Sequence, residues 1–302
     1  MYKAVAPTKS YLTIGGCCID ERRCQMGSKK DSLGNRMKRY ENVSRLYLTR
    51  RVPVIIRVDG KAFHTYTKGM KKPFDRILMT VMQQTMQYLC ENIQGCVFGY
   101  TQSDEITLVL TDYKTASTDA WFGNGVQKMC SVAASMATMA FNRFFAAAYF
   151  DLSESIEEAW NVSDEERAYV GLLYDKLLSA TFDARVFSVP KDEVCNCLIW
   201  RQQDATRNSI EAAGQAHFSH RQLHKKSCDQ IQEMLWQERG INWNDYPVDF
   251  KRGSCCRRQK TIVTMPDPRD DSASILVERN RWVVDKKPPI FTQDRSYIEF
   301  SL

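Results

Sequence analysis

Residues 51–60 read RVPVIIRVDG, a run of mostly apolar, β-branched side chains that ends on a carboxylate and a glycine. Such a run predicts a buried strand that stops at Asp59-Gly60. Further along, Asp75 precedes apolar positions that recur at helical spacing, which predicts a capped helix ending near Asn92. Residues 96–111 read CVFGYTQSDEITLVLT, and two apolar runs joined by a short polar link predict a β-hairpin.

The elements that follow complete a known order. Residues 119–149 are rich in Ala and Met and predict a long helix, and residues 184–189 predict another strand. The order is therefore βαββαβ, which is typical of an α+β, ferredoxin-like fold. In that fold the first and third strands lie side by side and antiparallel. We therefore expect Asp59 to face Asp104 and Glu105 at one edge of the sheet.

The chain divides into three predicted parts. A poorly ordered leader comes first, the βαββαβ domain with its helical insertions follows, and a mixed α/β extension comes last. The predicted bounds are 1–30 for the leader, 31–190 for the domain and 191–302 for the extension, with helices at 198–218 and 227–239 and strand-like stretches at 261–265 and 281–284.

Composition excludes several classes of protein. Of the 302 residues 43% are hydrophobic and 26% are charged, which rules out collagen-like, low-complexity and wholly disordered chains. The 42 basic and 36 acidic residues give a net charge of +6, which permits a nucleic-acid partner without implying one. No stretch approaches roughly 18 consecutive apolar residues, and the opening segment lacks a secretory apolar region. We expect a cytoplasmic protein without membrane contact.

The 11 cysteines are an odd number spread through segments with buried patterns, which suits a reducing compartment better than a disulfide framework. A zinc site remains an alternative to plain thiols, although no C-x-x-C spacing is present. Its candidate ligands would be Cys17, Cys18, Cys24, Cys255 and Cys256.

Acidic side chains at the rim of a sheet, beside a tight glycine turn, favour binding of Mg²⁺ that carries nucleotide phosphates. Two such ions can support phosphoryl or nucleotidyl transfer. Basic residues that would balance phosphate charge follow the first acid, at Lys61, His64, Lys71 and Lys72. The alternative is that Asp59-Gly60 only ends a strand and residues 103–105 only turn a hairpin.

Two basic patches fit a phosphate backbone, although either could be a solvated surface. The first is His220, Arg221, His224, Lys225 and Lys226, and the second is Lys251, Arg252, Arg257, Arg258 and Lys260.

The sequence RVDGKAFH at 57–64, together with QSDE at 102–105, resembles the two metal motifs of the tRNA-histidine guanylyltransferase superfamily. Lys72-Pro73, FDAR at 182–185 and WRQQD at 200–204 match further motifs in the family's order, and the resemblance covers roughly residues 31–260. It implies a palm-like catalytic domain related to ordinary polymerases, two Mg²⁺ ions, and GTP and ATP as substrates. It also implies 3′-to-5′ addition of nucleotides to the 5′ end of tRNA by a homo-oligomer, a tetramer.

The resemblance also implies roles for individual residues. The catalytic acids would be Asp59, Asp104 and Glu105, with Asp59, Asp104 and the Gly60 carbonyl as metal ligands. Nucleotide binding would involve Asp59, Gly60, Lys61, Ala62, Phe63, His64, Lys72, Ser103, Asp104 and Lys128. The tRNA contacts would come from Arg207, Asn208, Lys251, Arg252, Arg257 and Arg258.

This chain departs from the family's pattern at two places. The arginine that usually neighbours the Lys128 position is absent, and the stretch at 123–125 reads GNG. Residues 204–210 read DATRNSI, whereas tRNA-histidine guanylyltransferases carry a His-Ile-Asn-Asn run. In this the chain resembles the guanylyltransferase-like proteins that repair truncated tRNA 5′ ends by copying a template, and we take repair as the first hypothesis.

Three other functions are alternatives to repair. Single guanosine addition to tRNA-histidine is the runner-up within the family. A palm-type nucleotide cyclase would leave the basic patches of the C-terminal third without a task. An RNA-binding module of the RRM type shares the βαββαβ order, but residues 106–111 offer no stacking aromatic side chain.

Overall fold

The computed structural model describes residues 32–267 and 270–302. The chain divides into two compact units, Met1–Arg45 and Leu46–Leu302. In the first unit the described residues form helix α1, Ser32–Asn42. The predicted leader, residues 1–30, lies outside the described residues.

One antiparallel sheet of six strands organises the second unit, in the order β4-β1-β3-β2-β5-β6. The first four strands carry the predicted βαββαβ order, and β1 pairs antiparallel with β3 as expected. The strands are β1 Val54–Gly60, β2 Cys96–Gln102, β3 Glu105–Leu110, β4 Phe182–Ser188, β5 Ser254–Asp267 and β6 Asp270–Asp285.

The predicted main helices are present with shifted ends. Asp75 caps α3, because its side chain accepts hydrogen bonds from the backbone amides of Ile77 and Leu78 at 2.9 and 3.1 Å. The helices are α2 Phe63–Tyr66, α3 Arg76–Asn92, α4 Val126–Glu157, α5 Asp164–Asp175, α6 Lys191–His217, α7 His220–Leu223, α8 Cys228–Arg239, α9 Val248–Arg252 and α10 Ser296–Glu299, with 3-10 turns at Trp121–Asn124 and Trp243–Asp245.

The C-terminal strands differ most from the prediction. Instead of two short stretches, β5 and β6 form one long hairpin whose base pairs with β2. The sheet of residues 54–188 therefore continues into the predicted extension. The sequence predicts shorter strands because polar and apolar residues alternate here. A hairpin with solvent on both faces does not need a continuous apolar run.

Strand β1 presents its two faces to different helices. Val54, Ile56 and Val58 are buried in the core that α3 and α4 cover, whereas Ile55 is buried with residues of α6 on the other face. Burying each such side chain contributes about 1.5–3 kcal/mol, so the alternation fixes the register of β1. Arg57 and Asp59 consequently share the α6 face.

None of the helices within residues 32–267 and 270–302 combines the length and apolarity needed to cross a membrane.

Candidate active site

The end of β1 meets the hairpin turn at one edge of the sheet. Asp59 is the register partner of Glu105 on β3 and of Asp183 on β4. The Gly60 amide donates to the Asp104 carbonyl over 3.1 Å. The predicted neighbourhood of Asp59, Asp104 and Glu105 is therefore confirmed as backbone geometry.

The Asp104 carboxylate lies in an environment that disfavours negative charge. Burial raises the pKa of Asp104 and the nearby Asp59 raises it further, while hydrogen bonds from Ser103 and the backbone oppose the rise. The guanidinium of Arg185 stands 3.7 Å from one Asp59 oxygen. A cation between the carboxylates of Asp59 and Asp104 would relieve the repulsion between these two groups.

The oxygen donors at this site suit Mg²⁺, whose shell is completed by phosphate and water, better than a cation held by protein side chains alone. Among the residues that the structure describes, no three His, Cys, Asp or Glu side chains converge on a common point. Mg²⁺ is typically held by one or two carboxylates, and substrate phosphates and water complete its shell. Asp59, Asp104 and the Gly60 carbonyl supply that kind of oxygen set.

The chain leaves β1 through a crowded turn. A Cβ on Gly60 would lie 2.3 Å from the ring of Phe63, so only glycine fits there. Phe63 is buried beside Phe141 and Phe182, with ring centroids 5.5 and 5.1 Å away. The predicted nucleotide contact of Phe63 is therefore restricted to its backbone, because its side chain belongs to the core.

The remaining residues of this turn are accessible. Lys61 and His64 are exposed, and Ala62 between them has a left-handed backbone with φ of 54°. The Lys61 amide donates to the Thr181 carbonyl over 2.9 Å, which ties the turn to the start of β4. The side chains of Lys61 and His64 thus extend into solvent near the acid pair.

Two cavities adjoin at the hairpin turn. One of about 380 Å³ is lined by Asp59 and Asp104. The other, of about 230 Å³, is lined by Lys71 and Lys72 from the loop before α3 and by Phe250 of α9. Gln102, Ser103 and Asn208 line both cavities. The structure therefore brings Lys72, Ser103 and Asn208 together with the predicted metal ligands.

Glu105 is engaged in a buried ion pair. Both of its carboxylate oxygens accept hydrogen bonds from Arg201 at 2.7 Å, and the two side chains are only 8% and 7% exposed. Arg201 also donates to Asp204 over 2.8 Å. Burial raises the pKa of Glu105, although Arg201 opposes the rise. This geometry favours a positioning role, with Glu105 anchoring α6 to the hairpin, over the predicted catalytic role.

Lys128 lies away from the acid pair. It is exposed on the first turn of α4, and its Nζ lies 4.6 Å from the ring centroid of Phe122. Trp121 and Asn124, on either side of Phe122, line a cavity with Val54 and Leu110. Val54 begins β1 and Asp59 stands five residues later, a separation of about 16 Å at the usual rise of a strand. Within one chain the predicted participation of Lys128 in this nucleotide site is not supported.

The predicted tRNA residues do not form one surface. Lys251 is buried and its Nζ donates to the Asn244 carbonyl, which argues against a phosphate contact. Arg252 is partly buried. Arg257 and Arg258 are consecutive on β5 and point to opposite faces, over the rings of Tyr297 and Trp282 respectively. Of the predicted tRNA-binding residues, only Arg207 and Asn208 lie near the acid cavity, and both are exposed on α6.

Three arginines at the site had no role in the sequence prediction. Arg57 lies two residues before Asp59 on β1, so both side chains are on the same face of the sheet. Its buried Nε has no hydrogen-bond partner among the described residues. Arg185 bridges Asp59 and Asp183 at 3.7 Å to each. Arg201 holds Glu105. The period-two alternation of β1 and β4 could have placed Arg57 and Arg185, whereas nothing local predicts the Arg201 pairing.

The zinc alternative lacks support in the described part of the chain. Cys255 and Cys256 are buried on opposite faces of β5, so they cannot share one ion. Cys17, Cys18 and Cys24 lie outside the described residues.

Comparison with known proteins identifies relatives of this chain. A family model described as "Thg1: tRNAHis guanylyltransferase" matches residues 34–190. A solved bacterial tRNA(His) guanylyltransferase (Thg1)-like protein in complex with ATP is 42% identical, with a TM-score of 0.72, and the match covers 89% of this chain and 98% of that one. Its counterpart in complex with GTP is 39% identical with a TM-score of 0.67, covering 90% and 99%.

A named relative is more distant. The tRNA(His) guanylyltransferase of Saccharomyces cerevisiae is 23% identical over 224 residues, which are 70% of this chain and 84% of the yeast protein. The family model alone covers more than half of the chain. The chain therefore belongs to the Thg1, or tRNA(His) guanylyltransferase, family of nucleotidyltransferases.

Proposed function

We propose that this protein is a Mg²⁺-dependent 3′-to-5′ nucleotidyltransferase that repairs 5′-truncated tRNA by copying the opposing strand. The observation that carries the proposal is the junction of two cavities at Ser103. One contains the acid pair Asp59 and Asp104, and the other contains Lys71 and Lys72. Oxygen ligands for a cation and ammonium groups for a triphosphate thus stand on either side of one turn.

Asp59, Asp104 and the Gly60 carbonyl would hold the metal, with the main-chain amides of the 60–63 turn nearby. When bound, Mg²⁺ would neutralise phosphate charge at the site of transfer. Lys72, Ser103, Lys61 and His64 would contact the triphosphate of the incoming nucleotide, for which GTP and ATP are the expected substrates. Asn208 reaches the same junction from α6.

Addition at a 5′ end requires the incoming nucleotide to attack through its 3′ hydroxyl. Its oxygen forms a bond to the α-phosphorus, which is the phosphorus attached to the RNA 5′ oxygen. The bond from that phosphorus to the leaving group breaks, and the hydroxyl proton is lost to solvent or a base. An RNA 5′-triphosphate then releases pyrophosphate, whereas a 5′-monophosphate must first be activated by ATP or GTP. The site's task is positioning and charge stabilisation.

The 230 Å³ cavity offers little to select guanine. Guanine presents N–H donors on its pairing edge, and a free carboxylate would be the strongest acceptor for them. Asp75 already accepts from the amides of Lys71, Ile77 and Leu78 and from the Tyr169 hydroxyl. The other lining carboxylate, Asp249, is paired with Arg76 and Gln83. These commitments support selection by base pairing with the acceptor strand.

The residue at the position of the family histidine supports the same proposal. Thr206 donates its hydroxyl to the Gln202 carbonyl of its own helix over 2.9 Å. Its side chain therefore serves α6 and supplies no ring to recognise a particular tRNA. Arg207 and Asn208 are the proposed tRNA contacts beside the acid cavity, and the exposed Arg258 on β5 is a further proposed contact.

The second candidate is addition of a single guanosine to tRNA(His), which the family description favours. The test uses tRNA transcripts that lack the first 5′ nucleotide, carry a 5′-triphosphate, and have each of the four bases in the opposing position. Repair predicts that the added nucleotide pairs with the opposing base every time. Guanosine addition regardless of that base, or activity confined to tRNA(His), would contradict repair and favour the second candidate.

A further inference from the structure

A half-exposed tryptophan stands beside the acid pair. Trp200 is 52% exposed and lines the 380 Å³ cavity together with Asp59 and Asp104. A large aromatic ring left in water beside carboxylates contributes little to the core. Exposure alone is common for surface aromatic rings, so the position of Trp200 in the wall of the acid cavity is the observation that matters.

The ring is held by cations. The guanidinium carbon of Arg201 lies 4.5 Å from the ring centroid of Trp200, and that of Arg57 lies 5.7 Å from it. Arg201 is itself fixed by its two bonds to Glu105. Cation–π contacts of this kind restrict the orientation of the indole, and half of the side chain stays accessible to a ligand.

The indole belongs to a stripe along α6. Trp200, Asp204 and Asn208 are spaced by four residues, so they share one helix face, and all three line the acid cavity. Arg207 pairs with Asp204 of this stripe and is 59% exposed, so its side chain is accessible from solvent. The stripe therefore offers an aromatic surface near the acids and a cation one or two turns away.

We propose that Trp200 is the stacking platform for the 5′-terminal base of the RNA acceptor, an inference that rests on the proposed 5′-end addition. Base–aromatic stacking needs only a π-face and accepts any base, which suits an acceptor whose terminal nucleotide varies. Trp200 does not line the lysine cavity proposed for the incoming nucleotide. The RNA end is thus the partner that faces the indole.

The test measures stacking directly, before any chemistry. A short RNA hairpin that mimics an acceptor stem carries 2-aminopurine as its 5′-terminal base, and its fluorescence is followed as enzyme is added without nucleotide. Wild type should quench the 2-aminopurine on binding. Trp200→Leu should lose the quenching and bind the hairpin roughly 5- to 150-fold more weakly, and Trp200→Phe should retain most of both.

Trp236→Leu is the matched control, because Trp236 is 58% exposed on α8 and lines none of the described cavities around the acid pair. It should behave as wild type. In steady-state assays Trp200→Leu should raise the KM for the RNA and leave the KM for GTP unchanged. Quenching by Trp200→Leu equal to wild type, absence of quenching by wild type, or a rise in the KM for GTP alone would overturn the proposal.

The two proposals can fail separately. If wild type adds no nucleotide to any RNA but quenches 2-aminopurine through Trp200, the proposed function is wrong and the platform stands. If wild type adds nucleotides and Trp200→Leu quenches as well as wild type does, the platform is wrong and the function stands.

Discussion

Replacement of Arg201 by methionine tests how the helix that carries Trp200 is fixed to the sheet. Arg201 donates to both Glu105 oxygens at 2.7 Å and to Asp204 at 2.8 Å, and the Glu105 and Arg201 side chains are 8% and 7% exposed. Removing one partner of so buried a pair leaves the other charge uncompensated, which costs about 3–5 kcal/mol. For a unit of this size the Tm should fall by roughly 6–20 °C.

The loss should depend on pH in a definite direction. Burial already raises the pKa of Glu105, and without Arg201 the pKa should rise further. A carboxyl whose folded pKa lies above its unfolded value destabilises the protein at neutral pH and less so as the pH falls through that folded value. The gap between Arg201→Met and wild type, measured by thermal unfolding, should therefore be smaller at pH 5 than at pH 8.

Two comparisons sharpen this experiment. Arg207→Met removes the exposed partner of Asp204 on the same helix and should cost no more than about 1 kcal/mol. The double variant Arg201→Met with Glu105→Met should unfold at a higher temperature than Arg201→Met alone, since no buried charge is left behind. If Arg201→Met were as stable as Arg207→Met, or if its deficit were the same at both pH values, the ion pair would not be what fixes α6.

Three further outcomes are expected. Asp104→Asn should raise the Tm without Mg²⁺, because it removes a buried negative charge. Mg²⁺ at 100 times its Kd should add about 2.7 kcal/mol to the free energy of unfolding of wild type but not of the variant. Equal stabilisation of both proteins by Mg²⁺ would contradict the metal assignment. Gly60→Ala should cost about 1–3 kcal/mol in urea unfolding because its Cβ meets the buried Phe63 ring, whereas Gly171→Ala in open space on α5 should not destabilise. Arg258→Glu should reduce the slope of log affinity for tRNA against log salt by about 1, and an unchanged slope would exclude this residue from the contact.

The sequence predicts the centre of the site because its signals are local and periodic. The apolar run of β1, the hairpin link and the cap at Asp75 each follow from neighbouring residues. Together they define the βαββαβ order that brings Asp59 beside Asp104. The family motifs coincide with these strand ends, so topology and resemblance point to the same residues.

The failures arise where three-dimensional contacts decide the role of a side chain. Lys251 reads as part of a basic patch, but the fold buries it against Asn244. The sequence predicts Glu105 as a third acid at the edge of the sheet, but its carboxylate is paired with Arg201, which lies 96 residues later in the chain. Lys128 matches a family position, but the path of α4 places it near the opposite end of β1. Charge and spacing alone do not contain this information.

The most direct test of the acid pair as the catalytic centre is single-turnover nucleotide addition to a 5′-triphosphorylated, truncated RNA in saturating Mg²⁺. Asp59→Asn and Asp104→Asn should each slow addition by at least about 100-fold. Asp183→Asn is the control, because Asp183 is the strand partner of Asp59 and shares Arg185 with it, but it does not line the acid cavity. It should stay within about threefold of wild type. Near-wild-type addition by Asp59→Asn or Asp104→Asn, or an equal loss in Asp183→Asn, would contradict the assignment.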